Sequence, residues 1–410
     1  MNSRVKVSVI IIAFVSHALC FSIYDQPEGW ASQAGGTTGG SGGTEVTVNN
    51  MSQLQAEAKS SGKKVILIEK GIYTGKLTVS SDKTIIGKEP GVLIKGSVVI
   101  SKVSNVILRN FAVQGNRCNS YEECKDGDDA VGILNNAHHV WLDHLDISDG
   151  QDGNCDITKG ADFVTVTWCK FWYSYDKEHR FSNLISSADN VEGDKGKLNI
   201  TYAYCWWADR VDQRQPRGRS GKVHVVNNLY TSKNASYACG PGVDIQMLIE
   251  NNLFNNGGKA IEVFDGNPKP AFKSVGNMGT AKNINMNQGT VFTPPYTLSL
   301  KMEASEVESK VKPVAGNTLT LSTTSAYQSQ NNSVLRRHPY ISSFRSGWLL
   351  RNPTSLDLSF ILITLDGRTV LPSTRLESGE IIQLPSFSSP LLVCFKGSYS
   401  SEIIYVPGKI

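Results

Sequence analysis

Three groups of residues in this 410-residue chain have side chains and spacings suited to chemistry. Residues 122–156 hold ten carboxylates against a single lysine, Lys125, with Asp128-Asp129 near one end and Asp152-Gly-Asn-Cys-Asp156 at the other. Like charges held together are costly unless a cation neutralises them. Oxygen donors of this kind suit Ca²⁺ better than Zn²⁺. An acidic solvated face explains the same residues, and no EF-hand loop is present to decide between the two. Lys177 follows an aromatic run, Phe171-Trp172-Tyr173-Ser174-Tyr175, which suits either a sugar face or core packing; Trp206 and Trp207 carry the same ambiguity. Finally, five basic residues fall between Asp209 and Lys222, among them Arg214 and Arg219, separated by a Pro and a Gly. Two guanidiniums on a bent, anchored loop fit a planar anion; pairs to Asp209 and Asp212 on a solvated loop fit equally well. His144, after Asp143, reads as a catalytic base or as a buried structural histidine.

These groups need elements to hold them. Short β-type segments recur from Glu45 onward, including Val106–Phe111, Val140–Ile147, Phe163–Phe171, Leu198–Trp207, Val223–Tyr230 and Gln246–Phe254; only Ser52 to Ser60 reads as a helix. Val225-Val226-Asn227-Asn228-Leu229-Tyr230 is echoed by Leu248-Ile249-Glu250-Asn251-Asn252-Leu253-Phe254, 24 residues later, and Val140 to Val164 is again 24. Self-similarity at this period, in short strands with Asn at the bend, predicts a coiled solenoid. Asn tolerates left-handed backbone and can stack its amide on the Asn one coil above. A right-handed parallel β-helix accounts for both features, whereas a β-sandwich leaves the fixed Asn unexplained. Carboxylates distant in sequence would then converge where loops stack at one corner.

Residues 1–20 read as a secretory leader: Arg4 and Lys6, an apolar run from Val7 to Val15, and Ala18-Leu19-Cys20. That run is short for a membrane span. Of the seven remaining cysteines, Cys118 and Cys124 could close a short loop, and Cys394 is a candidate for a free thiol. Residues 21–44, rich in Gly, Ser and Thr, read as a flexible linker. A second linker is expected over 321–345, followed by a small all-β module at 346–410. A net charge of +4 is too mild for a nucleic-acid binder. No GxSxG, Walker, HExxH or suitably placed GxGxxG motif occurs, so serine-hydrolase, NTPase and dehydrogenase readings lack support.

The order of the pieces is more informative than any one of them. Val140-Trp-Leu-Asp-His144, Asp152-Gly-Asn-Cys-Asp156, Val164-Thr-Val-Thr167, Asp176-Lys177, Arg214-Gln-Pro-Arg-Gly-Arg219 and Gly221-Lys-Val-His-Val-Val-Asn-Asn228 follow one another as in the pectate lyases of polysaccharide lyase family 1. The chain resembles that family from about residue 30 to about 320. The resemblance implies an all-β parallel β-helix, Ca²⁺ dependence and β-elimination on polygalacturonate or pectin, by a secreted monomer with no nucleic-acid partner. It also implies Asp129, Asp152 and Asp156 as Ca²⁺ ligands, with Asp128 as a possible fourth, Lys177 and Arg219 as substrate-binding residues, and Arg214 as Brønsted base. A pectin lyase acting on neutral esters would not call for three aspartates and Lys177 together. A polygalacturonase would show an Asp-Asp pair near a Gly-His, which is missing. A non-catalytic pectin-binding protein has no use for Arg214. The tail, with Asn352-Pro353, Leu365-Asp366-Gly367-Arg368 and a final Ile-Ile-Tyr-Val, resembles bacterial type A secretion-sorting domains; a carbohydrate-binding or spacer module is the other reading.

Overall fold

The computed structural model describes residues 25–321, except 234, in full, the backbone of strands at 20–21 and between 340 and 406, and a few further residues in the tail. The leader expected at 1–20 and most of the linker expected at 321–345 lie outside the described residues. The chain divides into two compact units, one spanning Ile23–Thr320 and the other Leu321–Ile410.

The first unit is a right-handed parallel β-helix. Each long apolar segment read from the sequence is in fact two strands on two faces: His138–Asp143 is followed by Asp146–Ser148, Asp162–Thr167 by Lys170–Trp172, and Asn199–Ala203 by Trp206–Trp207. The break is a residue in left-handed backbone: Asn110, His144, Trp168, Tyr204, Asn227 and Asn251, with φ between 51° and 59°. Asn adopts this conformation readily, while His, Trp and Tyr pay about 1–2 kcal/mol for it. The same bend recurs over these six successive coils. Next to it an asparagine ladder runs along the axis. Asn228 N donates to Asn252 Oδ1 at 2.9 Å, and Asn252 N donates to Asn277 Oδ1 at 2.8 Å. Each buried amide thus satisfies the backbone of the coil before it.

Inside, Phe171, Trp207, Tyr230 and Phe254 occupy equivalent positions of successive coils and stack with ring centroids 4.4–5.2 Å apart. Offset stacking adds to area burial, so Phe171 and Trp207 are core residues rather than sugar platforms. The two remaining faces form parallel ladders that fuse where Arg217–Val226 and Tyr237–Glu250 run straight through a corner, with a register shift between Gly218 and Ser220.

Residues 21–44 do not behave as the flexible linker their composition suggests. From Asp25 on they lie against the coils, with Trp30, Ala31 and Thr37 buried. Trp30 N and Ala31 N donate to Thr201 Oγ1 and Thr165 Oγ1 at 3.0 and 2.9 Å. A Cβ on Gly40 would fall 1.9 Å from Lys64 O; glycine here permits close approach rather than motion. A second strap, unforeseen in the sequence, returns along the bent corner after the last coil: Asn227 Nδ2 donates to Met302 O at 2.7 Å, and Asn110 Nδ2 to Leu319 O at 2.7 Å. Beyond the expected helix, found at Met51–Lys59, two one-turn helices lie at Tyr121–Lys125 and Val307–Val311. Among the described residues no helix is long and apolar enough to cross a membrane.

The second unit holds two antiparallel sheets. One orders Tyr340–Phe344, Gly347–Arg351 and Ile381–Gln383; the other orders Thr369–Leu376, Leu358–Thr364, Leu391–Lys396 and Ser401–Val406.

Candidate active site

The three aspartates singled out in the sequence meet at one corner of the β-helix. Val131 pairs with Cys155, and ahead of that register Ala130 N donates to Gly153 O at 3.0 Å. Asp129 therefore sits one coil below Gly153, beside Asp152 and Asp156. One carboxylate oxygen from each of the three lies within 4.8 Å of the others. Asp129 Oδ1 is buried with no hydrogen-bond donor, while Asp156 Oδ1 accepts from Leu184 N at 2.9 Å. Burial, followed by the Asp156 and Asp152 charges, raises the Asp129 carboxyl well above its usual range; burial raises Asp156 to about 7. Three crowded carboxylates, Asp156 buried and Asp129 and Asp152 half-buried, with an orphaned oxygen on Asp129, form a costly arrangement unless a cation joins them, and an all-oxygen donor set suits Ca²⁺. The residues fit the ion. Asp128 is not brought into the cluster: it is exposed and pairs with Lys76 Nζ at 2.9 Å.

The coils above supply the cations. Phe181 bridges Gly153 on one side and Gln213 on the other, so Arg214 stands two rungs above Asp152. Arg214 adopts left-handed backbone with φ of 62°, and its guanidinium lies 4.3 Å over the Phe181 ring. Its Nε is buried without an acceptor, and its charge is among the influences that lower the carboxyl pKa values of Asp129 and Asp156. Arg219 is held differently, by Asp189 at 2.8 Å and Ser186 O at 3.0 Å. Lys177 arrives on the loop after Lys170–Trp172; its Nζ donates to Gly150 O and Gln151 O at 2.6 and 2.8 Å. Burial lowers the Lys177 ammonium to about 8, against the opposing charges of Asp149 and Asp152.

Two neighbours escaped the sequence reading. His179 is buried, with Nε2 2.9 Å from Asp152 Oδ1 and its ring 4.0 Å from that of Phe181. Arg217 lies between Arg214 and Arg219 in sequence, its guanidinium 4.0 Å over Phe264. Only the position of His179, two residues past Lys177, could have flagged it. By contrast, Asp143 and His144 lie in a separate structural network: Asp143 Oδ2 accepts from Arg109 Nε and faces His144 Nδ1, both at 2.8 Å, and Asp143 Oδ1 accepts from Thr167 Oγ1 at 2.7 Å. Cys118 and Cys124 are joined as a disulfide. Cys155, Cys169, Cys205 and Cys239 are free and buried, so pairing goes no further among the described cysteines.

Comparison with known proteins points one way. The profile of a family described as "Pectate lyase" matches residues 7–319. A pectate lyase of Emericella nidulans is 32% identical over 306 residues, covering 72% of this chain and 89% of the relative. A probable pectate lyase A of Aspergillus fumigatus is 35% identical with the same coverage. Among solved structures, a pectate lyase from Bacillus sp. N165 in complex with trigalacturonate superposes with a TM-score of 0.60 over 72% of this chain and 99% of that one, at 24% identity. At that identity the likeness shows the fold.

Proposed function

The chain belongs to the pectate lyase family and is a polysaccharide lyase; from that premise we propose that it cleaves α-1,4-linked polygalacturonate by Ca²⁺-dependent β-elimination. The observation that carries the reading is the convergence of Asp129, Asp152 and Asp156 two to three rungs below Arg214. Ca²⁺ held by the three aspartates would supply positive charge where a uronate carboxylate becomes enolate-like as its C5 proton leaves.

The residues of the chain do the rest. Lys177 and Arg219 bind and orient substrate carboxylates, Lys177 as a point charge and Arg219 as a planar fork steadied by Asp189. Arg214 removes the C5 proton; the C5–H electrons form the C4=C5 double bond, and the glycosidic oxygen leaves C4 and takes a proton from water. A guanidinium is ordinarily always protonated. Here Arg214 has no carboxylate in direct contact among the described residues and its Nε has no acceptor, and a bound cation would disfavour a further positive charge. Such a base works best at alkaline pH.

The test is the ultraviolet absorbance of an unsaturated uronide formed from polygalacturonate, with Ca²⁺ or with chelator. A Ca²⁺-dependent rise that disappears in Arg214→Ala is expected. Elimination that persists in that variant removes Arg214 as base, and new reducing ends without absorbance point to hydrolysis. Export through the leader at 1–20, and a sorting or surface-attachment role for residues 346–410, belong to the same proposal. Normal export of a chain truncated before residue 346 would contradict the sorting role.

A further inference from the structure

Lys177 opens onto a cavity of about 540 Å³, walled by Arg117 and the Cys118–Cys124 loop on one side and by residues 175–178, Lys177 among them, on the other. Its size falls in the range of roughly 300–1,000 Å³ typical of ligand sites. We propose that this cavity is a subsite for a galacturonate unit of the bound polysaccharide away from the cleavage position, with Arg117 pairing its carboxylate and Tyr121 packing against its sugar ring. The proposal rests on the lyase reading and extends it along the substrate.

The lining supplies both halves of what a uronate presents. Arg117 is exposed, has no carboxylate partner among the described residues, and holds its guanidinium 4.7 Å over the Tyr175 ring. Stacked in this way, the fork stays available to a planar anion. Tyr121 is 43% exposed, and its ring lies 5.3 Å from that of His179. Aromatic faces suit the C–H face of a sugar. Of the two acids at the rim, Asp176 is engaged by Arg180 at 3.0 Å and Arg210 at 3.7 Å; Glu178 is exposed and would oppose an anion.

The wall is also stiff before anything binds. Besides the disulfide, Ser120 Oγ accepts from Glu123 N at 3.2 Å, Cys118 N donates to Tyr175 OH at 3.1 Å, and Gln151 Nε2 donates to Glu123 O at 3.1 Å. A preformed wall spares the ordering cost of binding. Gln151 adjoins Asp152, so the loop is braced against the backbone that carries an aspartate of the acidic cluster.

The experiment compares kcat/KM on oligogalacturonates of increasing length for the native protein, Arg117→Ala, Arg117→Lys and Tyr121→Ala. Both alanine variants should lose about tenfold on the longest oligomers, equivalent to about 1.4 kcal/mol. The loss should shrink as the oligomer becomes too short to reach the cavity, and Arg117→Lys should recover part of it. Glu178→Gln should gain a few-fold on long oligomers, as expected for removal of an opposing charge. Equal losses at every length, or no loss at any, overturn the subsite while leaving the lyase reading intact. A native protein that forms no unsaturated product overturns both.

Discussion

Gly153 stands against Asp129: a Cβ added to Gly153 would lie 2.9 Å from Asp129 Oδ1 and 3.1 Å from Asp156 Oδ1. The glycine between Asp152 and Asp156 is there for the carboxylates rather than for the backbone, because it leaves them room to approach one another. Gly153→Ala should therefore weaken Ca²⁺ binding about 10- to 100-fold, the usual effect of disturbing groups that orient ligands. Calorimetric titration checks it, and excess Ca²⁺ should restore most of the activity.

Asp129→Asn should separate the two consequences of the cluster. Removing one of three crowded charges should stabilise the metal-free protein by about 1–3 kcal/mol at pH 8. The same change should abolish the stabilisation that Ca²⁺ gives the native chain, about 2.7 kcal/mol at 100 times the dissociation constant. Thermal melts with Ca²⁺ or chelator read both effects. A variant less stable than native without metal would contradict the account.

The pH response of the metal-free protein follows from Asp156, raised by burial to about 7. An acid whose folded pKa lies above its unfolded value binds more protons when folded, so its contribution is complete below the unfolded value near 3.9. It is lost as pH rises toward 7. The melting temperature in chelator should fall across that window, whereas saturating Ca²⁺ should flatten the fall.

Lys177 predicts a second pH effect, with the opposite charge type. Burial lowers its ammonium to about 8, so in the free enzyme it loses its charge as pH rises through that value. The profile of kcat/KM, which reports free-enzyme groups, should bend downward above about pH 8. Lys177→Arg, which stays charged, should move the bend to higher pH. An unmoved bend would assign it to another group.

Asn252 tests the ladder. Its amide oxygen accepts from Asn228 N and Nδ2, and its own Nδ2 donates to Val225 O at 2.9 Å. Asn252→Ala strands the buried Asn228 N and Val225 O of the preceding coil and should cost about 3 kcal/mol by denaturant titration. The site lies elsewhere on the coil, so the acidic cluster should retain its Ca²⁺ affinity at low temperature.

Much of this was legible in the sequence because a solenoid writes its period into the chain. The 24-residue spacing and the repeated Asn gave the coil, and the order of aspartates, lysine and arginines gave the cluster. The corners were less legible. His144, Trp168 and Tyr204 take the same left-handed bend as Asn110, but their side chains carry no such signal, so paired strands read as single ones. Glycines at 39 and 40 looked like slack and are contact points, a difference that depends on Lys64 and Thr84, far away in sequence. His179 was hidden for the same reason: what makes it matter is Asp152, 27 residues earlier and one coil away.

The proposed site draws its residues from successive rungs, Asp129 from one, Asp152 and Asp156 from the next, and Arg214 two rungs above these. Three steps of about 4.8 Å separate its floor from its top, a stack roughly 14 Å high. On the proposed assignment, a chain that has wound only part of its coils has no partial version of this chemistry, because each rung would contribute a different function. Turnover is thus a reporter of completed winding: during refolding, activity should return with the last coil of that stack, after strand signals have already appeared.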